Sequence, residues 1–173
     1  DVFAFIGRVS SEKGPLLFAE AVEKTSVRGM VIGDGPELEI VRRRYPQIEC
    51  VGWRKQDQII DLLRRRIAVL VFPSVWPETA GLTPLEAMSV GIPCIISDRA
   101  AAAEYVCDGV TGLIFRGGDI ADLASKINQM KDFERRGAIA RNIRERFDRS
   151  RYDEKTHVEK LLAAYSELLA EHS

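Results

Sequence analysis

The sequence is poor in the residues that build covalent staples and metal sites. Its 173 residues include three cysteines, Cys50, Cys94 and Cys107, an odd number with no C-x-x-C spacing. That pattern excludes a disulfide framework and a zinc site, and it fits a reducing cytosol. Two histidines, His157 and His172, stand near the end with neither a triad partner nor metal-ligand spacing. No Asp-x-Asp pair of the kind that holds a divalent cation occurs. No sign of charge dominates either: 25 Lys and Arg face 26 Asp and Glu, a formal net charge of -1. A dedicated nucleic-acid binder is usually clearly basic, so that class is excluded. The longest apolar run covers residues 67–72, far below the roughly 20 residues of a membrane-spanning helix. There is no internal repeat and no low-complexity linker. The chain opens without a signal peptide on a strand-like run at residues 2–6, the pattern expected of a fragment of a longer protein.

What is present is an alternation. Short β-branched or aromatic runs at 2–6, 29–32, 48–51, 67–72, 93–96 and 113–115 read as strands. Helical patterns at 15–24, 36–44, 56–66, 84–90 and 101–106 separate them. Such alternation is the mark of βαβ units and a parallel sheet, hence an α/β fold. Several strands are apolar throughout, as expected where helices cover both faces. Helices follow at 119–130, 133–147 and 152–171. The length suits one domain, with a core at 1–130 and C-terminal helices at 131–173. Gly14-Pro15, Gly35-Pro36 and Thr83-Pro84 each place proline where a helix is expected to begin, a position that suits its fixed φ and missing N–H.

Three loops carry polar groups worth weighing. In the first, Arg8 and Lys13 flank a turn of small residues before a helix N-terminus. Fixed positive charge, backbone N–H groups and the helix dipole suit a phosphate there, although a solvated loop with two surface cations accounts for the same residues. It is neither a Walker loop nor a G-x-G-x-x-G fingerprint. The second loop, Gly33-Asp34-Gly35-Pro36, reads as a tight turn whose glycines permit positive φ. The fourth places Glu78 eight residues before Glu86. Thr83 and Glu86 have the spacing of a capping box, which alone explains Glu86, whereas Glu78 caps no evident helix and solvation is its plain explanation. Arg42–Arg44 and Arg64–Arg66 end helices, where cations complement the dipole. Met88 and Trp76 read as packing residues.

Taken together these loops resemble the C-terminal, nucleotide-sugar-binding domain of the retaining glycosyltransferases of GT-B fold known as family 4 or group 1. The resemblance rests on Phe5-Ile6-Gly7-Arg8 with Glu12-Lys13-Gly14, on Val31-Ile32-Gly33-Asp34-Gly35-Pro36, and on an E-x7-E motif at Glu78 and Glu86. Leu85-Glu86-Ala87-Met88, Gly91-Ile92-Pro93, Glu104, Asp108–Leu113 and Gly118-Asp119 continue it, over about residues 3–130. It implies a Rossmann-like, doubly wound parallel sheet of about six strands in the order 3-2-1-4-5-6. It also implies that Arg8 and Lys13, beside Gly7, hold the diphosphate of a UDP- or GDP-sugar. Backbone N–H groups around Gly81, Leu82 and Thr83 would complete that cradle. Glu86 would accept from the ribose, Glu78 would contact the sugar, and backbone near Arg54 would lie beside the base. No cofactor or metal is expected. The implied partners are the nucleotide sugar and an N-terminal acceptor domain outside this chain, in a cytoplasmic protein whose contact with a membrane, if any, belongs to that other half. The alternatives are a GT-B sugar-nucleotide epimerase or a catalytically degenerate binding domain. Ala80 keeps the second open, because the family usually has an aromatic there. Ala68-Val69, where the family often has Ala-Asp, reads as a packing change.

Overall fold

The structure is a computed structural model and describes residues 1–78, 81–148, 156, 158, 159, 161–163, 165 and 166. Six strands form one parallel sheet: β1 (Val2–Ile6), β2 (Arg28–Ile32), β3 (Glu49–Gly52), β4 (Ile67–Phe72), β5 (Cys94–Ser97) and β6 (Gly112–Phe115). Their order is β3-β2-β1-β4-β5-β6, a Rossmann-like doubly wound sheet. The helices are α1 (Pro15–Thr25), α2 (Leu38–Arg44), α3 (Gln56–Arg65), α4 (Leu82–Ser89), α5 (Ile120–Lys131) and α6 (Phe133–Arg146).

The sequence explains why the sheet takes both faces. Every residue of β1 and β5 is buried, and β4 is buried at all but Ala68. Strands with no polar face need helices on each side. The order supplies them. After β1 the chain steps outward to β2, and after β4 it steps the opposite way to β5. Right-handed crossovers in opposite directions put their helices on opposite faces. Accordingly α1 packs against α2 and α5, while α3 packs against α4. Phe18 of α1 is fully buried and meets Phe5 of β1 with ring centroids 6.2 Å apart. Burying such a ring contributes about 3 kcal/mol.

Several expectations need correction. Pro15 does open α1, but Pro36 lies in a turn and α2 begins at Leu38. The reason is a long-range bond: the Glu37 N–H donates to the Val9 carbonyl at 3.0 Å, bending the chain before helix can form. Pro84 is the third residue of α4, which starts at Leu82 with Gly81 as its N-cap. Thr83 is therefore not a cap, and the capping box does not exist. Residues 101–105 form a 3-10 helix in place of an α-helix. Met88 is buried as expected, but Trp76 is 67% exposed. The helix expected at 152–171 falls mainly outside the described residues, as do His157 and His172, although Thr156, Val158 and Leu161 are helical. No helix among the described residues is long and apolar enough to cross a membrane.

Candidate functional site

The switch between β1 and β4 opens a crevice at the carboxyl ends of the strands, because the loops that follow them leave in opposite directions. Ligands of open α/β sheets bind at such places. Two adjoining cavities, about 200 and 370 Å³, lie there and share Ile6, Gly7, Arg8 and Thr83 as a common wall.

The loop after β1 is held rigidly on both sides. The Gly7 N–H donates to Ile32 O at 3.0 Å, and the Val9 N–H to Asp34 O at 2.9 Å. The approach of the second loop is so close that a Cβ on Gly33, whose φ is 142°, would come within 1.8 Å of Gly7 O. Glycine is thus required at 33 by contact as well as by conformation. Between those two anchors Arg8 is exposed and makes no ion pair among the described residues. Its charge and that of Lys13 help to hold the Glu12 carboxyl below its ordinary value, after the larger effect of a 2.6 Å hydrogen bond from Ser10 Oγ.

Lys13 ends a 3-10 turn, Ser11–Lys13, that leads through Gly14 into α1. The loop after β4 is tied to this turn at Glu12 O, which accepts from the Val75 N–H at 3.0 Å and Ser74 Oγ at 3.1 Å. That tie brings Glu78 to Lys13, with Oε2 2.8 Å from Nζ. The Glu78 side chain is 11% exposed, and its other oxygen, Oε1, is buried with no hydrogen-bond partner among the described residues. Buried polar atoms are rarely left unpaired, which marks Glu78, a lining residue of the smaller cavity, as a side chain with unused acceptor capacity. Phe72 and Gly81, Leu82 and Thr83 at the start of α4 complete that cavity. The first N–H groups of α4 have no partner within the helix and carry the positive end of its dipole.

The larger cavity adds Asp34, Trp53, Arg54, Ile59 and Glu86. Glu86, released from any cap, accepts from Gln56 Nε2 at 3.0 Å. Arg54 folds back so that Nη1 donates to Trp53 O at 2.8 Å. Every residue marked out in the sequence therefore gathers here: Gly7, Arg8, Lys13, Glu78, Gly81, Leu82 and Thr83 around one cavity, Arg54 and Glu86 around the other. Thr79 and Ala80 lie outside the described residues. Asp34 was read only as part of a turn, and two residues were missed: Trp53, which lines the larger cavity, and Gln56, which bonds Glu86. Trp53 had a usable signal, since it is an aromatic in a loop at the carboxyl end of a strand, and it is 65% exposed. Among the described residues no group of three or more His, Cys, Asp or Glu side chains is placed to hold a metal. Chemically, the crevice can hold an anion among Arg8, Lys13 and the start of α4. It can accept hydrogen bonds from hydroxyl groups at Glu78 and Glu86.

Comparisons with known proteins bear on the family and on the fold. A family model described as glycosyl transferases group 1 matches residues 1–146. The chain is 31% identical over 153 residues to the N-acetyl-alpha-D-glucosaminyl L-malate synthase of Bacillus anthracis, covering 86% of this chain and 38% of that protein. It is 30% identical over 155 residues to the sulfoquinovosyl transferase of Arabidopsis thaliana, covering 86% of this chain and 30% of that one. The chain thus spans well under half the length of these relatives. The Anabaena protein HepE, solved in complex with UDP-glucose, superposes with a TM-score of 0.79 at 24% identity, over 94% of this chain and 48% of HepE. The C-terminal domain of a group 1 glycosyl transferase from Francisella tularensis gives 0.71 at 25% identity, over 82% of this chain and 81% of that domain.

Proposed function

The chain belongs to the glycosyl transferases group 1 family, and on that premise we propose that it is the donor-binding half of a retaining glycosyltransferase. The reaction is transfer of a hexosyl group from a UDP- or GDP-sugar to a glycan, lipid or small-molecule acceptor. One observation carries this reading: two cavities share a wall at Arg8, with the Lys13–Glu78 pair in one and Glu86 in the other. A nucleotide sugar has the matching sequence of parts, namely sugar, diphosphate, ribose and base.

On this reading Arg8, Lys13 and the start of α4 hold the diphosphate. Glu86 accepts from the ribose, and the loop at Trp53 and Arg54 lies beside the base. The Glu78 side chain receives a sugar hydroxyl. Breaking the bond from the anomeric carbon to phosphate leaves negative charge on the diphosphate and positive character on the sugar ring. Preorganised cations stabilise the first, in the place where other transferases use a divalent metal. The acceptor oxygen attacks from the face the phosphate leaves, and its proton passes to the departing phosphate oxygen. Configuration is thereby retained with no protein nucleophile, and Glu78 positions the sugar. The acceptor-binding half belongs to a longer protein, working in the cytoplasm, and any membrane contact is made through that half.

The test is thermal unfolding of this chain with UDP, GDP and their sugars. A ligand that binds only the folded state stabilises it, by about 2.7 kcal/mol at a concentration one hundred times its Kd. The expected outcome is a raised Tm with one nucleotide class and no sugar transfer by this chain alone. No shift with either class would overturn the reading.

A further inference from the structure

We propose that Gln56 is a positioning residue for Glu86: its side-chain amide sets the carboxylate to receive the ribose hydroxyls, and so sets how strongly the site distinguishes ribose from deoxyribose. The proposal rests on the reading of Glu86 as the ribose acceptor. Gln56 is the first residue of α3, and Glu86 lies in α4. Nothing local brings them together, yet Gln56 Nε2 donates to Glu86 Oε1 at 3.0 Å. Glu86 makes no cap, so this bond is what orients it.

The chemistry of the pair suits that role. A vicinal diol offers two O–H donors, and recognising both requires the carboxylate plane to be fixed. A free glutamate turns about three side-chain bonds. Donation to one oxygen holds that plane while leaving Oε2, and a further lone pair on Oε1, open to the hydroxyls. An amide does this without neutralising the carboxylate, so hydrogen bonds from the hydroxyls stay charge-assisted. A Lys or Arg in its place would compete with the ligand for the same charge. A structural explanation is weak, because Gln56 is exposed and an exposed side-chain bond adds little to stability. Gln56 also lies two residues after Arg54, which with Trp53 lines the same cavity. One short segment therefore serves both the base end and the ribose end.

The experiment is isothermal titration with UDP and 2′-deoxy-UDP, and with GDP and 2′-deoxy-GDP, on the unsubstituted chain, Gln56→Ala, Gln56→Glu, Glu86→Ala and the double variant Gln56→Ala/Glu86→Ala. Gln56→Ala is expected to weaken the ribonucleotide about three- to tenfold, the range of one hydrogen bond, and to leave the deoxynucleotide nearly unchanged. Gln56→Glu is expected to weaken it further, because a second carboxylate then faces Glu86. In the Glu86→Ala background, Gln56→Ala is expected to do nothing more. Equal weakening of both nucleotides, or an effect that persists without Glu86, would overturn the positioning role. Discrimination that survives Glu86→Ala alone would overturn the reading of Glu86 instead, and the proposal with it. Unliganded Tm values show that each variant is folded.

Discussion

Lys13 Nζ lies 2.8 Å from Glu78 Oε2, so the cation of the first loop is already paired with the first carboxylate of the E-x7-E motif. The pair is partly exposed, at 29% and 11%, and such pairs contribute about 1 kcal/mol or less to stability. Its interest is the ligand. A diphosphate arriving beside Arg8 gives Lys13 a second anion to serve. Lys13→Ala is expected to weaken nucleoside diphosphate binding about tenfold, the worth of one charge-assisted hydrogen bond. It should also flatten the salt dependence of binding. Titration at two ionic strengths checks both, and undiminished affinity would remove Lys13 from the site.

Glu78 should separate sugar from nucleotide. Its side chain lines the smaller cavity, and its charge stands close to where the diphosphate would sit. Glu78→Gln is expected to leave the free diphosphate bound as well as before, or slightly better, since a negative charge is gone. The extra affinity given by the sugar should fall about ten- to a hundredfold, as for a lost hydrogen bond to a charged group. Comparing the nucleotide sugar with its nucleoside diphosphate on the same variant isolates that difference. Parallel losses in both would show that Glu78 does not touch the sugar.

Glu86 is expected to matter for binding and hardly at all for folding. Thr83 is the second residue of α4 and Gly81 is its N-cap, with no side-chain capping bond. Loss of a true cap costs about 0.5–2 kcal/mol, whereas an exposed or half-exposed substitution usually stays within about 0.5 kcal/mol. Urea unfolding of Glu86→Ala and Thr83→Ala should give the smaller figure for both. A loss near the upper end of the cap range would restore the capping box.

The fold was legible because its evidence is local and repeated. β1 and β4 are uniformly apolar runs with polar or glycine-containing flanks, and both have the expected bounds. The strand order came from the family resemblance, since composition says nothing about which strands are neighbours. The helix starts were legible only in part. Any residue of a first helical turn lacks an internal partner for its N–H, so Pro84 fits the third position as readily as the first. Nothing local announces the bond from Glu37 to Val9 that delays α2. The same holds in the site. Arg8, Lys13, Glu78 and Glu86 stand in recognisable motifs, but Gln56 earns its place only through contact with a distant helix.

Two glycines with nearly the same backbone should respond very differently to alanine. Gly14 has φ 70° and Gly109 has φ 76°. A left-handed alanine costs about 1 kcal/mol at either. At Gly14 the new Cβ would also stand 2.3 Å from the Pro73 carbonyl oxygen, a backbone atom, while at Gly109 nothing lies within 4 Å. Gly109→Ala is therefore expected to lose about 1 kcal/mol, and Gly14→Ala distinctly more, about 2–4 kcal/mol by analogy with other overpacking and strain effects. Since Gly14 joins Lys13 to α1, its substitution should weaken nucleotide binding as well. Equal unfolding midpoints for the two variants would show that the contact with Pro73 is not a constraint.

Glu37 gives the folded state a pH dependence with a definite sign. Its Oε2 is buried without a hydrogen-bond partner among the described residues. Burial first, and the charge of Glu12 second, raise its carboxyl above the ordinary 4.5. A folded-state pKa raised above the unfolded value favours the fold while the group is protonated. That advantage is lost as pH rises from about 4.5 through the folded pKa. At neutral pH the ionised Glu37 therefore burdens the folded state. Glu37→Gln, equal in size and uncharged, is expected to be more stable than the parent at pH 7, with the gap closing as pH falls towards 4. Urea unfolding at both pH values measures it. A gap of the same size at pH 4 and pH 7 would mean that the carboxylate's charge is not what the fold resists.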